Sequence, residues 1–173
     1  MSLAKSHAKS PANSLAIYRA RPEQIGVILA LIRELADYEK LLHEVEATEA
    51  MIGGALFEDH PRLFCEIAEW DGEPAGVALW FNNFSTFSGR SGIYLEDLFV
   101  RPAFRGKGIG KALLSYLAKA CVANGWSRLQ WSVLDWNEPS IAFYQSLGAV
   151  LMDEWTMCRV NGPALTALAK AAP

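Results

Sequence analysis

The chain is short of the residues that build several common kinds of site. Its three cysteines, Cys65, Cys121 and Cys158, are an odd number scattered through apolar segments. That pattern fits buried thiols in a reducing compartment and excludes a disulfide framework. The three histidines, His7, His43 and His60, stand far apart, and no Cys/His pair has metal-ligand spacing, so no metal site is expected. Positive charge is not in excess: 16 Lys and Arg face 19 Asp and Glu, for a net charge of −3. This argues against a nucleic-acid surface built on bulk basicity. No apolar run reaches the roughly 18 to 20 residues of a membrane span. Met1–Ser14 is rich in Ala, Ser and Lys without an apolar core segment, so a loose tail is expected rather than a signal peptide. The expected address is the cytoplasm, and neither a membrane nor a nucleic acid is an expected partner.

What remains is an ordinary globular composition, 51% apolar and 20% charged over 173 residues. One domain is expected over residues 15–173. Leu15–Arg19 has the pattern of a short strand. Pro22 marks a helix start, after which Ile25, Ile28, Leu29, Ile32, Leu35 and Ala36 repeat with helical period. A second, short helix follows Thr48. Leu63–Trp70 and Glu73–Phe84 are β-rich and flank Asp71-Gly72, a strong hairpin signal. Gly92–Val100 is a further strand. Ile109, Leu113, Tyr116, Leu117, Ala120 and Cys121 make one helical stripe, stopped at Asn124-Gly125. A strand over Arg128–Leu134, a helix over Asn137–Leu147, one bent or two short strands over Ala149–Val160 and a last helix after Asn161-Gly162-Pro163 complete a mixed α/β order.

Arg105-Gly-Lys-Gly-Ile-Gly-Lys111 lies between a predicted strand and an amphipathic helix. Backbone N–H groups at such a turn, together with the helix N-terminal partial charge, cradle an anion. Glycine lets phosphate oxygens approach where a Cβ would block them. A dinucleotide fingerprint is excluded, because Lys111 stands where its last glycine belongs. A P-loop is excluded by Arg105 and by Ala112, which replace its first glycine and its Ser/Thr. A turn that merely lets strand and helix pack closely is the competing reading.

Arg105-x-x-Gly108-x-Gly110 resembles the pyrophosphate-binding signature of the GNAT superfamily of N-acetyltransferases. Tyr94–Val100 before it, Asn137-Glu-Pro-Ser140 with Phe143-Tyr144 after it, and Ile32–Leu41 resemble the diamine (spermidine/spermine) and thialysine branch. The resemblance runs from about Tyr18 to Leu165. It implies a single-domain GNAT fold, a mixed and mostly antiparallel sheet flanked by helices whose fourth and fifth strands splay apart around acetyl-CoA. It also implies backbone contacts to pantetheine from Leu98, Phe99 and Val100, and a pyrophosphate held by Arg105, Gly106, Lys107, Gly108, Ile109, Gly110 and Lys111. Asn137 and Ser140 would approach the cofactor's reactive end. A small-molecule amine acceptor and a homodimer are implied as well.

Tyr144 lies seven residues after Asn137 and so shares its helix face. The resemblance makes it the general acid, and a phenol with pKa about 10 can protonate a departing thiolate. The amine must be neutral to attack, and deprotonating an alkylammonium at pH 7 costs roughly 4 to 5 kcal/mol. Glu96 is the expected base, because strict alternation puts Tyr94, Glu96 and Leu98 on one strand face and Asp97 on the other. The resemblance makes Tyr38 and Glu39, at the end of the first helix, contacts of a cationic acceptor, with Glu96 and Glu154 as further expected contacts, while Glu138 is expected to be merely solvated. Two other readings share these residues: a non-catalytic acyl-CoA-binding module, and acetyl transfer to a protein lysine or N-terminus.

Overall fold

Asp71 and Gly72 both take left-handed backbone (φ 53° and 85°), the conformation of a two-residue type I′ hairpin. They join β2 (Phe64–Trp70) to β3 (Glu73–Ser85), as the sequence predicts. The computed structural model describes residues 13–173, so the tail expected over Met1–Ser14 falls almost wholly outside the described residues. Before the hairpin come β1 (Leu15–Arg19), α1 (Ile25–Tyr38) and α2 (Glu49–Phe57); after it come β4 (Arg90–Val100), α3 (Ile109–Ala123), β5 (Leu129–Trp131), α4 (Glu138–Ser146) and α5 (Gly162–Ala169). Thr48 caps α2 by accepting the Met51 N–H at 3.3 Å. Two compact units result, one ending at Ser132 and one spanning Val133–Pro173.

In the first unit the strands follow their chain order, β1-β2-β3-β4-β5. The first four are antiparallel and β5 joins β4 in parallel. This is the mixed, mostly antiparallel α/β sheet that the sequence predicts. Ile67, Val77, Leu79 and Phe99 turn to one face and pack with Ile28 and Leu31 of α1 and Leu56 of α2. On α3, Ile109, Leu113, Leu117 and Cys121 form the buried stripe, and the helix packs on β3 and β4. Each such side chain contributes about 1.5 to 3 kcal/mol by leaving water. Cys65 is fully buried, and burial first, then the Glu66 charge, pushes its thiol up to about 12. That makes it inert.

In the second unit Asn137 begins α4 by accepting the Ser140 N–H (3.4 Å), and Gly162 opens α5. Two expectations fail there. Ala149–Val160 forms no strand, because its own unit holds no other strand to complete a ladder and an extended segment alone leaves its backbone groups unpaired. Cys158, expected in an apolar setting, is exposed. The strand expected over Arg128–Leu134 is also shorter than predicted, since only Leu129–Trp131 pair with β4.

Candidate active site

β4 changes character halfway along. Ile93, Tyr94 and Leu95 pair with β3 on one side and with Leu129, Gln130 and Trp131 of β5 on the other. Past Leu95 the β5 ladder ends, so residues 96–100 keep β3 on one side and, among the described residues, an edge without a strand partner on the other. The parallel ladder between the fourth and fifth strands is therefore only three residue pairs long.

The β3 register slips at the same place: Trp80 opposes Leu95, but Leu79 opposes Asp97. Glu96 is thus the extra residue of a β-bulge. One inserted residue exchanges the faces beyond it. Tyr94 opposes Phe81 and Asp97 opposes Leu79, two β3 residues apart, so Tyr94, Asp97 and Phe99 share the face turned to α1. The alternation expected for Tyr94, Glu96 and Leu98 is broken, and Asp97 does not point away from the α1 side. Glu96 itself is exposed on the bulge. The Tyr94 ring stacks on Phe81 at 5.1 Å, and its hydroxyl hydrogen-bonds Ser132 at 2.8 Å.

The ladder also decides which backbone groups are available. The Arg101 N–H donates to the Ala75 carbonyl (2.9 Å). Hydrogen-bonded pairs recur every second residue in an antiparallel ladder, so Val77↔Phe99 is the next one. Phe99 therefore turns its N–H and carbonyl to β3, contrary to the expectation that it contacts pantetheine. Leu98 and Val100 turn theirs to the open edge. The Val100 carbonyl accepts from Arg105 Nε at 3.0 Å.

At the end of that edge the glycine turn enters α3. Gly106 and Gly108 both lie in the left-handed region (φ 76° and 79°), and a Cβ at either would meet nothing within 4 Å. The glycines therefore serve backbone conformation and leave space, rather than close packing within the protein. Gly108 is the N-cap and has no side chain to cap the helix. The N–H groups of Ile109, Gly110 and Lys111 have no intrahelical partners and converge with the positive end of the helix. The Ile109 side chain is buried, so this residue offers only its backbone. Arg105, Lys107 and Lys111 are exposed and add three positive charges.

Arg101 fixes α1 beside this edge. Its guanidinium is bidentate on Glu34 (2.9 and 2.7 Å) and donates to the Pro74 carbonyl at 2.7 Å, a geometry that sets orientation as well as distance. The last turn of α1 then brings Glu39 within electrostatic range of Asp97. Burial pushes the Asp97 carboxyl up to about 6, with Glu96 and Glu39 adding repulsion; burial also raises Glu39. Tyr38, expected to contact the acceptor, has the Arg105 guanidinium 4.7 Å from its ring centre. The bulge at Glu96, which no residue type marks in the sequence, is what sets Asp97 on the face turned to α1.

Asn137, Ser140 and Tyr144 lie on and before α4 in the second unit, with the Tyr144 ring 5.3 Å from that of Phe143. Glu154 falls in the irregular segment and is exposed.

Comparison with known proteins fits this geometry. A family model described as the acetyltransferase (GNAT) family matches residues 28–149. The chain is 38% identical to a thialysine N-epsilon-acetyltransferase of Bos taurus, with 88% of this chain and 96% of that one covered. It is 31% identical to an L-ornithine N5-acetyltransferase of Arabidopsis thaliana, with 87% and 86% covered. An integron cassette protein from the mobile metagenome of V. cholerae has the same fold, with a TM-score of 0.77 at 28% identity over 91% of this chain and 99% of that one.

Proposed function

The chain belongs to the acetyltransferase (GNAT) family, and from that premise we propose that it moves the acetyl group of acetyl-CoA to the primary amine of a small cationic acceptor of lysine, thialysine or ornithine type. The observation that carries the reading is the open edge of β4. Leu98 and Val100 turn their backbone groups toward it, with the Val100 carbonyl taken by Arg105 Nε, and the uncapped start of α3 lies at its end. An extended amide chain ending in a pyrophosphate matches that sequence of donors and acceptors: amides along the strand, phosphates on the helix N-terminus.

The acceptor side is acidic. Burial, with repulsion from Glu96 and Glu39 added to it, raises the Asp97 carboxyl to about 6, and a cationic acceptor relieves the repulsion. Glu96, exposed on the bulge, takes the amine proton through water. The neutral nitrogen attacks the thioester carbon, forming the amide C–N bond while the C–S bond breaks. Tyr144 donates its hydroxyl proton to the departing thiolate. No covalent enzyme intermediate is needed, and no cysteine is assigned a part. Glu154, in the irregular segment, has no part in this reading either.

Thiol release from acetyl-CoA, measured over thialysine, lysine, ornithine, short diamines and spermidine, tests the proposal. Turnover with at least one basic amino acid or its analogue is expected. CoA binding without turnover on any amine would make the protein a binding module. Transfer to peptides but not to free amines would make it a protein acetyltransferase.

A further inference from the structure

Two cations of the glycine turn, Arg105 at its start and Lys107 between its first two glycines, do not extend freely into water. The Arg105 guanidinium lies 4.7 Å from the centre of the Tyr38 ring and 5.8 Å from that of Phe99, while its Nε donates to the Val100 carbonyl. Two residues on, the Lys107 ammonium lies 4.9 Å from the centre of the Trp70 ring. The rings come from elements far apart in the chain, Tyr38 from the last turn of α1 and Trp70 from the last residue of β2. Both distances are within the reach of a cation–π attraction.

We propose that Tyr38 and Trp70 are positioning residues for the cofactor: their rings hold the Arg105 and Lys107 charges in place beside the glycine turn before the pyrophosphate arrives. The inference rests on acetyl-CoA being the ligand of that turn. Arg and Lys are the most rotamer-rich side chains, and on an exposed turn each would otherwise be ordered only when the ligand binds. A charge already parked on an aromatic face needs only a small swing to meet a phosphate, and the attachment is soft enough to permit it. Phe99 contributes to the Arg105 bracket but is buried in the core, which leaves Tyr38 and Trp70 as the substitutable members. Tyr38 thereby moves from the acceptor side, where the resemblance puts it, to the cofactor side.

Calorimetric titration of CoA into the wild-type protein and into Tyr38→Leu, Trp70→Leu and the double variant tests this without any amine present. Each single Leu variant is expected to weaken CoA binding about two- to fivefold, the range for losing one exposed cation–π contact. The double variant should weaken it roughly tenfold, since the two rings serve different cations. Tyr38→Phe and Trp70→Phe, which keep a ring, should recover most of the affinity. In two-substrate kinetics the loss should appear in the KM for acetyl-CoA and not in the KM for the amine. Wild-type CoA affinity in the double Leu variant, equal losses in the Phe and Leu variants, or a rise in the amine KM alone would each overturn the inference. A wild-type protein that binds no CoA would instead bring down the acetyl-transfer reading on which it stands.

Discussion

On the proposed reading, the two sides of the site are made of different material. The cofactor side, from Leu98 to Lys111, consists mostly of main chain: backbone groups on the edge of β4, two glycines in left-handed conformation, and the uncapped N–H groups of α3. The acceptor side consists of side chains, with Glu39 from α1 and Glu96 and Asp97 from a bulge. Tyr144, the proposed acid, is carried by α4. Backbone donors suit a cofactor whose amides and phosphates never change. Side chains can be exchanged one at a time, and they are where a family that serves many amines would vary. The two sides should therefore fail in different ways when altered.

The largest failure is expected at Tyr144. Tyr144→Phe should lower turnover by roughly 10² to 10³ while CoA affinity stays close to wild type, as expected for loss of a general acid. Wild-type turnover in that variant would remove the hydroxyl from the chemistry.

Asp97→Asn should show next, as a change in how stability depends on pH. The folded carboxyl titrates at about 6 against an ordinary 3.8, so between about pH 4 and 6 the folded state holds the proton that the unfolded state has lost. Stability from this group therefore falls as pH rises through that window and is level above it. The asparagine variant lacks this penalty. Urea melts should find it more stable than wild type by up to about 3 kcal/mol at pH 7 and little different near pH 4. An equal difference at both pH values would mean that Asp97 is not desolvated.

Gly108→Val is a smaller test, on the cofactor side. The new Cβ meets no protein atom, but a β-branched residue at φ 79° costs on the order of 1 to 3 kcal/mol or reshapes the turn. CoA should bind roughly tenfold more weakly, with the amine KM unmoved. Parallel increases for both substrates would blur the division between the two sides.

The same division governs what could be seen in the sequence. The glycine turn is legible because left-handed backbone and local charge leave a mark in consecutive residues. The helices follow from 3.6-residue periodicity, and Asp71-Gly72 announces its hairpin. The bulge at Glu96 left no mark. It lies in Tyr94-Leu-Glu-Asp-Leu, where neither glycine nor proline signals a break, and it arises from the register against β3. That single inserted residue set Asp97 on the α1 side, where strict alternation had put it on the opposite one. The contact between Tyr38 and Arg105 left no mark for a related reason: the sequence does not say which loop, 67 residues later, will arrive over that ring. Ala149–Val160 has strand-like composition, but a strand exists only where a neighbour completes its ladder.

The claim that the β4 edge holds the cofactor by its backbone is tested most directly by calorimetric titration of CoA into Leu98→Pro. Leu98 turns its N–H to the open edge, so proline should spare the β3 ladder and leave the protein folded. The account predicts a folded variant with CoA affinity reduced roughly tenfold or more, through loss of the N–H and crowding by the ring. Wild-type affinity in that folded variant would contradict it.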